Sequence, residues 1–282
     1  MAGKNAPIGV FDSGLGGLTT VRELRRLLPG EDIVYFGDTG RVPYGTRGVD
    51  TIVEYAKQDI AFLLSQNVKY VIAACGTVSS TLPTSITQQL PVPYLGVVPS
   101  AAAAAAAATK SGRIGILGTP ATIHSRSYEK AIHAISPQAQ ITATACPLFV
   151  PLVENGYFGR DNQVTRLVAQ DYLKQVKAAN VDTLILGCTH YPLIAPILGD
   201  LMGPDVVLID PGWEAAHAAR NWLAQQKLLR TEGCGTARYF VSDSTDNFRQ
   251  LAGWFLGEYA GGEVCRIRVD DFHLETGGEQ SI

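Results

Sequence analysis

The segment IGVFDSGLGGLTTVRELRRLL, residues 8–28, contains one complete unit of the predicted fold. It begins with a four-residue apolar run, which has the length and composition of a short buried strand. A glycine-rich loop follows at residues 12–17, and a helical pattern then runs from residue 18 to residue 28, ahead of Pro29-Gly30. A strand, a loop and a helix in this order predict a βα unit with a parallel sheet.

The same alternation of apolar runs and helical patterns continues through most of the chain. Further strands are predicted at residues 33–36, 70–74, 94–98, 114–117, 141–145, 183–186, 206–209 and 239–241. Helices are predicted at residues 51–64, 101–108, 121–135, 163–178 and 246–256. The apolar runs are continuous, as expected for strands that helices cover on both faces. The predicted fold class is therefore α/β.

Composition and charge narrow the class of protein further. Hydrophobic residues make up 46% of the 282 residues and charged residues 17%, which is typical of a globular chain and excludes a disordered one. Lys and Arg number 23 against 26 Asp and Glu, without a long basic cluster. Neither nucleic acid nor an anionic membrane surface is therefore an expected partner, and a small-molecule ligand is expected instead.

No segment is predicted to enter a membrane or a secretion pathway. The polar residues 1–7 leave no room for the apolar core of a signal peptide, and three prolines interrupt the apolar stretch 91–108. The five cysteines are an odd number and lie far apart, which favours free thiols in a reducing compartment. We therefore expect a cytoplasmic protein.

Two pairs of segments suggest an internal repeat. Residues 8–11 resemble residues 114–117 at an offset of 106, and residues 71–75 resemble residues 184–188 at an offset of 113. Similar strand cores can also match by chance. If the repeat is real, Cys75 and Cys188 end equivalent strands and approach one cleft from opposite sides, because ligands of open α/β sheets bind at the carboxyl ends of the strands.

Two thiols that face one cleft suggest acid–base chemistry at a single carbon. A helix N-terminus or a nearby cation can lower the pKa of a thiol, and the resulting thiolate can remove a proton. A second, protonated thiol on the opposite face can then return one, which inverts the carbon centre. The alternative is that each cysteine is a small buried hydrophobic residue. Cys146, Cys234 and Cys265 have no matched partner and are expected to be packing or surface residues.

Metal and nucleotide sites find no support in the sequence. No Cys-x-x-Cys or His-x-x-x-His spacing and no clustered set of carboxylates appears, so no metal is expected. Gly14-Leu15-Gly16-Gly17 resembles a phosphate loop, but the glycine spacing is wrong and no lysine follows. Neither a metal nor a nucleotide cofactor is therefore expected.

Several long motifs occur together and in a fixed order. They are GVFDSGLGG at 9–17, FGDT at 36–39, RVPYG at 41–45, CPLFVPLVE at 146–154 and LGCTHYPL at 186–193. In these motifs the chain resembles the glutamate racemase family of the aspartate/glutamate racemase superfamily, from residue 8 to about residue 210. The resemblance implies interconversion of L- and D-glutamate without pyridoxal phosphate or metal, in the cytoplasm, with D-glutamate supplied to peptidoglycan synthesis.

The resemblance also implies an architecture. Two similar lobes, each with a mainly parallel sheet flanked by helices, are expected to be related by a pseudo-twofold axis, with the active site in the cleft between them. The first lobe would comprise residues 1–97 and 208–282, and the second residues 98–207. Such enzymes are commonly dimers, so a homodimer is an expectation. The partly polar tail, residues 261–282, is expected to fray.

Site residues follow from the same motifs. Cys75 is implied to serve the D-enantiomer and Cys188 the L-enantiomer, Asp12 and His190 to assist the thiols and contact substrate, and Asp38 and Glu154 to act as auxiliary ionisable groups. The remaining substrate-binding positions are Ser13, Tyr44, Gly45, Gly76, Thr77, Thr119 and Thr189. Other roles are open: Asp12 as a helix cap, His190 as a structural residue, Asp38 and Glu154 as solvated or supporting groups, and Arg41 in a surface or interface ion pair.

One position departs from the family pattern. The family has Cys-Asn-Thr where this chain has Cys75-Gly76-Thr77, and the missing amide is expected to remove up to two hydrogen bonds to substrate. A comparison with Gly76→Asn would show what the departure costs: a rise in turnover would assign it a cost, and no change would show that the position is unimportant. The alternatives are a racemase of another acidic amino acid such as aspartate, or a weakly active or inactive homologue that only binds an amino acid. A cysteine-nucleophile hydrolase is disfavoured because it needs one thiol, not two.

Overall fold

Ten strands form two separate sheets in the computed structural model, which describes residues 3–274. The strands are β1 Ile8–Asp12, β2 Ile33–Gly37, β3 Tyr70–Ala73, β4 Tyr94–Gly96, β5 Arg113–Gly118, β6 Gln140–Ala145, β7 Thr183–Gly187, β8 Val207–Ile209, β9 Ala237–Val241 and β10 Glu263–Arg266. The larger sheet has the order β10-β9-β2-β1-β3-β4 and the smaller one β6-β5-β7-β8. Every pairing is parallel, which agrees with the predicted α/β class.

Helices connect the strands and cover the sheets. They are α1 Leu18–Leu27, α2 Val49–Ser65, α3 Gly76–Thr81, α4 Thr84–Thr87, α5 Val97–Ala108, α6 Pro120–Ser125, α7 Ser127–Ile135, α8 Phe149–Glu154, α9 Gln163–Tyr172, α10 Lys174–Ala178, α11 Ala195–Met202, α12 Pro211–Gln225 and α13 Thr245–Leu256. Short 3₁₀ helices lie at Tyr44–Thr46, Tyr191–Ile194, Gly257–Tyr259 and Val269–Asp271. None of the helices within residues 3–274 is both long and apolar enough to span a membrane.

Several predicted elements differ from the observed ones. The strand predicted at 94–98 ends at Gly96 because α5 begins at Val97, and Pro99 is tolerated in the first turn of a helix. The helix predicted at 121–135 is two helices, separated at Arg126, whose φ of 56° is left-handed. The helix predicted at 163–178 is also two helices, α9 and α10, and no range was predicted for strand β10 or for helices α3, α4, α8, α11 and α12. The tail predicted to fray contains β10 and the 3₁₀ helix Val269–Asp271, and its residues 275–282 lie outside the described residues.

The sequence repeat corresponds to a repeat in topology. The order β2-β1-β3-β4 in the larger sheet is the same as the order β6-β5-β7-β8 in the smaller one. Ile8 lies opposite Tyr70, and Ile114, which is 106 residues after Ile8, lies opposite Thr183, which is 113 residues after Tyr70. The offset of 106 therefore relates β1 to β5 and the offset of 113 relates β3 to β7, and the two strand pairs have the same register.

One continuous apolar core joins the two sheets. It contains Ile8 and Ile72 of the larger sheet together with Leu184 and Leu186 of the smaller one, all buried. Helix α12 packs against both α1 and α5, at the junction between the sheets. In each sheet the strand order changes direction next to the first strand of the repeat, β1 or β5. Such a switch point is where α/β sheets form a crevice for a ligand.

Candidate active site

A cavity of about 370 Å³ lies at the carboxyl ends of β1, β3, β5 and β7. It is lined by eleven of the thirteen predicted site residues, namely Ser13, Tyr44, Gly45, Cys75, Gly76, Thr77, Thr119, Glu154, Cys188, Thr189 and His190. Asp12 and Asp38 are buried behind its wall. A larger cavity of about 900 Å³ between α1, α5 and α12 contains none of the predicted residues, so we take the smaller cavity as the candidate site.

Cys75 enters the cavity from the larger sheet, directly after β3. The thiol is buried and donates a hydrogen bond to Ser13 Oγ at 3.5 Å. Burial and the neighbouring carboxylate of Asp12 raise the pKa of Cys75 to about 12. Asp12 itself is held by the N–H of Gly14, which donates to Oδ2 at 3.1 Å, while Oδ1 has no hydrogen-bond partner in residues 3–274. Cys75 is therefore a protonated thiol at neutral pH.

Cys188 enters from the smaller sheet, directly after β7, and lies next to a histidine. His190 Nδ1 is 3.8 Å from Cys188 Sγ, and His190 Nε2 is 2.9 Å from Glu154 Oε1. Burial lowers the pKa of His190, but the hydrogen bonds and charges of Cys188 and Glu154 outweigh it and raise that pKa to about 10. His190 is therefore an imidazolium at neutral pH and places a positive charge beside the second thiol.

Hydroxyl groups from both lobes meet in the wall of the cavity. Thr77 Oγ1 and Thr119 Oγ1 lie 3.1 Å apart, and Thr119 Oγ1 donates to Thr122 Oγ1 at 3.0 Å. No Lys or Arg lines this cavity of the described chain. An anionic ligand must therefore be held by hydroxyl groups, backbone N–H groups and the His190 imidazolium.

Asp38 belongs to a buried network behind Tyr44. Its Oδ2 accepts hydrogen bonds from Arg41 Nε at 2.6 Å and from the Tyr44 hydroxyl, and its Oδ1 accepts one from Ser242 Oγ at 2.7 Å. Arg41 also donates to the buried Asp59 and lies 3.6 Å from the exposed Asp270, so the expected surface ion pair is one part of a network that reaches into the core. Burial and the charge of Asp38 raise the pKa of Asp59 well above its usual range. The network fixes the side of Tyr44 that faces away from the cavity.

Several lining residues were not predicted. Cys146 is buried in the cavity wall, where its Sγ donates to Thr144 O at 3.6 Å. Cys146 is buried, as predicted for a packing residue, but the prediction did not place it in the same cavity wall as Cys75 and Cys188. The apolar part of the wall consists of Val42, Pro43, Pro120, Pro147, Val150 and Pro151. Most of these residues belong to the motifs at 41–45 and 146–154, so membership in those motifs could have identified them. No group of three metal-ligating side chains forms within residues 3–274.

Gly76 lies close to the backbone of the other lobe. A Cβ atom on Gly76 would lie 2.6 Å from the carbonyl oxygen of Gly187, which belongs to the other lobe. Ordinary van der Waals contact begins at 3.4 Å. A side chain at this position therefore requires the neighbouring backbone to shift, so Gly76→Asn would change this backbone contact as well as restore the amide.

Known proteins resemble the chain over nearly its whole length. Residues 8–219 match the model of the Asp/Glu/Hydantoin racemase family. The glutamate racemases of Geobacter metallireducens and Syntrophus aciditrophicus are 44% and 47% identical to it over 264 residues, which is 93% of this chain and 97% of each relative. The crystal structure of glutamate racemase from Francisella tularensis in complex with D-glutamate superimposes with a TM-score of 0.88 at 36% identity, covering 95% of this chain and all of that one. The chain therefore belongs to the Asp/Glu/Hydantoin racemase family.

Proposed function

We propose that the protein interconverts L- and D-glutamate, with Cys75 and Cys188 as the two acid–base groups. The observation that carries the proposal is that the two thiols line one cavity from opposite lobes. The sequence relatives are glutamate racemases, and the F. tularensis enzyme was crystallised with D-glutamate, which supports the choice of substrate. The reaction requires no pyridoxal phosphate and no metal.

The different surroundings of the two thiols give each a role in the first half of the reaction. The His190 imidazolium lies beside the sulfur of Cys188, 3.8 Å from Nδ1 to Sγ, so we assign the removal of the α-proton of L-glutamate to Cys188. Cys75 is the protonated thiol and delivers its proton to the opposite face of the carbanion. One S–H bond forms as the other breaks. The reverse reaction exchanges the two roles.

The substrate is held by groups that suit a dianionic amino acid. We assign its carboxylates to the hydroxyls of Ser13, Thr77, Thr119 and Thr189 and to the backbone at Gly45 and Gly76. Asp12 lies behind the cavity wall next to Cys75, so we assign it to the support of that thiol and not to a contact with the substrate ammonium. Glu154 keeps His190 charged, which makes it a positioning residue. Asp38 lies outside the cavity and supports Tyr44 through their hydrogen bond, so it is also a positioning residue.

The direct test starts from each pure enantiomer of glutamate and follows the loss of its circular dichroism signal. The wild-type protein is expected to bring both to a racemic mixture, and Cys75→Ser and Cys188→Ser to lose at least about a thousandfold in kcat. Cys234→Ser is the matched control, because Cys234 is an exposed thiol away from the cavity. Racemisation that survives both cavity variants would contradict the two-thiol assignment.

The same assay separates the alternative functions. Faster inversion of aspartate than of glutamate would identify an aspartate racemase. Calorimetric binding of glutamate with no inversion and no exchange of the α-proton would identify a binding homologue. Activity that is unchanged after dialysis against a chelator is expected if no metal takes part.

We further propose the division into lobes at residues 1–97 with 208–282 and at residues 98–207. The composition of the two sheets supports it, although β8, Val207–Ile209, pairs with β7 and so crosses the boundary at 208. We also propose that a pseudo-twofold axis relates the lobes and that the protein forms a homodimer. We further propose that it acts in the cytoplasm and supplies D-glutamate for peptidoglycan. Limited proteolysis and light scattering test the lobe boundary and the oligomeric state.

A further inference from the structure

We propose that Asp59 is a neutral carboxylic acid that fixes the orientation of Tyr44, which makes Asp59 a positioning residue for the cavity wall. Asp59 lies in the middle of α2, and its side chain is buried. Tyr44 lines the cavity from the segment 41–46, which also contributes Gly45. The inference rests on the proposed function, in which the backbone at Gly45 holds a substrate carboxylate.

Both oxygens of the neighbouring Asp38 face hydrogen-bond donors. Its Oδ2 accepts from Arg41 Nε at 2.6 Å and from the Tyr44 hydroxyl, and its Oδ1 accepts from Ser242 Oγ at 2.7 Å. Ser242 has its proton free for this bond, because its oxygen accepts the N–H of Gly40 at 2.8 Å. A carboxyl group that only accepts hydrogen bonds is ionised, so Asp38 is the carboxylate of the network.

Asp59 has a different set of neighbours. Its Oδ1 accepts from Arg41 Nη2 at 3.2 Å, and its Oδ2 lies 3.2 Å from the hydroxyl oxygen of Tyr44. Burial raises the pKa of Tyr44 well above its usual range, so the phenol keeps its single proton and donates it to the charged Asp38. The contact between Asp59 Oδ2 and Tyr44 is therefore a hydrogen bond only if Asp59 supplies the proton.

The balance of charge gives the same assignment. Two buried carboxyl groups face one guanidinium, and Arg41 also lies 3.6 Å from the exposed Asp270. If both buried groups were ionised, one negative charge would remain without a partner in the core, which is costly. Burial and the charge of Asp38 raise the pKa of Asp59 well above its usual range. The titratable and charged groups that act on Asp59 are Asp38, Arg41, Tyr44 and Asp12.

The resulting hydrogen bonds form a chain with one direction, in which Asp59 donates to Tyr44 and Tyr44 donates to Asp38. Arg41 joins the same two carboxyl groups at the start of the segment 41–46, and its Nη1 donates to Gln58 Oε1 of α2. The segment is therefore attached to α2 at positions 41 and 44. These positions come directly before the backbone that is assigned to the substrate.

The test compares Asp59→Asn with Asp59→Ala by steady-state kinetics. An amide can donate to Tyr44 and accept from Arg41 as the neutral acid does, so Asp59→Asn is expected to keep kcat and KM within about twofold of the wild type. Asp59→Ala loses both hydrogen bonds and is expected to raise KM about 3- to 10-fold. Its kcat is expected to change less than about threefold, because the thiols are carried by β3 and β7 and not by the segment. Asp50→Ala, at the exposed start of α2, is the control and is expected to leave KM unchanged.

The protonation state is measured directly by NMR of protein labelled with ¹³C at the aspartate carboxyl carbons. The signal that Asp59→Asn removes is expected to have the chemical shift of a protonated carboxyl group at pH 7. Asp38→Asn is the contrasting variant, because its amide nitrogen would face a hydrogen-bond donor at either oxygen position. It is expected to lower the urea midpoint, whereas Asp59→Asn is expected to leave that midpoint unchanged.

An Asp59 signal at the carboxylate chemical shift at pH 7 would overturn the inference. It is also overturned if Asp59→Asn raises KM as much as Asp59→Ala does, or if Asp59→Ala leaves KM unchanged. If Asp59→Ala does not fold, the NMR signal and the kinetics of Asp59→Asn decide. An Asp59→Asn protein that does not fold would contradict the neutral state, because the amide matches the acid in shape and charge.

The inference and the proposed function can fail separately. If the wild-type protein inverts no amino acid, the proposed function is wrong. The NMR signal of Asp59 and the urea midpoints of Asp59→Asn and Asp59→Ala still test the chain of hydrogen bonds, because they are measured without turnover. A midpoint that falls in Asp59→Ala and not in Asp59→Asn is the expected result.

Discussion

Replacement of Glu154 by glutamine tests the electrostatic arrangement around Cys188. Glu154 Oε1 lies 2.9 Å from His190 Nε2, and its side chain is 35% exposed. A hydrogen bond to a charged group is worth about 1.5–3 kcal/mol, and partial exposure of the carboxylate reduces that value. A loss of about 1.4 kcal/mol corresponds to about one pKa unit. The pKa of His190, about 10 in the wild type, is therefore expected to be lower in Glu154→Gln.

The assay is a titration of isotopically labelled histidine by NMR. The sequence has five histidines, so a His190→Asn sample identifies the His190 signal. At pH 7 the imidazolium persists in both proteins, and kcat of Glu154→Gln is expected to fall by less than about tenfold. Glu258→Gln, a change at an exposed residue outside the cavity, is the control and is expected to leave the titration unchanged. The reasoning is refuted if His190 of the wild type titrates near 6.5, or if Glu154→Gln does not move it.

Four further changes test other parts of the structure. Thr77→Val removes a cavity hydroxyl and is expected to raise KM about 3- to 10-fold in steady-state assays, whereas an unchanged KM would exclude a contact with substrate. Asp38→Asn is expected to lower the free energy of unfolding in urea by about 2 kcal/mol, because charge-assisted hydrogen bonds are weakened. Lys69→Met leaves the buried Glu31 carboxylate, 2.6 Å from Lys69 Nζ, without its partner and should cost about 3–5 kcal/mol, with partial recovery when Glu31 is also made apolar. The pKa of His190 is raised from 6.5 to about 10, so protonation of His190 stabilises the folded protein fully below pH 6.5. This contribution is lost as the pH rises through 10. The urea midpoints of the wild type and His190→Asn should therefore converge at high pH.

The fold was predictable for strands that helices cover on both faces, because their sequences are continuous apolar runs. Strands such as β1 and β7 carry that signal, since every residue in them is buried. The break at Arg126 carries no local signal, because arginine has no preference for a left-handed conformation. A tertiary hydrogen bond from Ser127 Oγ to the oxygen of Ser80 anchors the chain next to it. Strand β10 is short, partly polar and at the sheet edge, so its pattern is weak.

The site was predictable where residues directly follow strands, because parallel sheets bring those positions to one edge. Cys75 and Cys188 are of this kind. Asp59 was not predicted: it lies in the middle of α2, where a charged residue usually faces solvent, and only the fold brings Arg41 to it. The meaning of Gly76 was also hidden, because the oxygen it contacts is 111 residues away in the sequence and in the other lobe.

The central claim is that two thiols act on opposite faces of one carbon, and isotope exchange tests it most directly. L-glutamate is incubated in D₂O with the wild-type protein, and both enantiomers are analysed at early times for deuterium at the α-carbon. D-glutamate is expected to form with deuterium while the remaining L-glutamate keeps its hydrogen, because the sulfur that delivers the proton is not the one that removed it. Equal early deuteration of both enantiomers would indicate a single base serving both faces and would contradict the account.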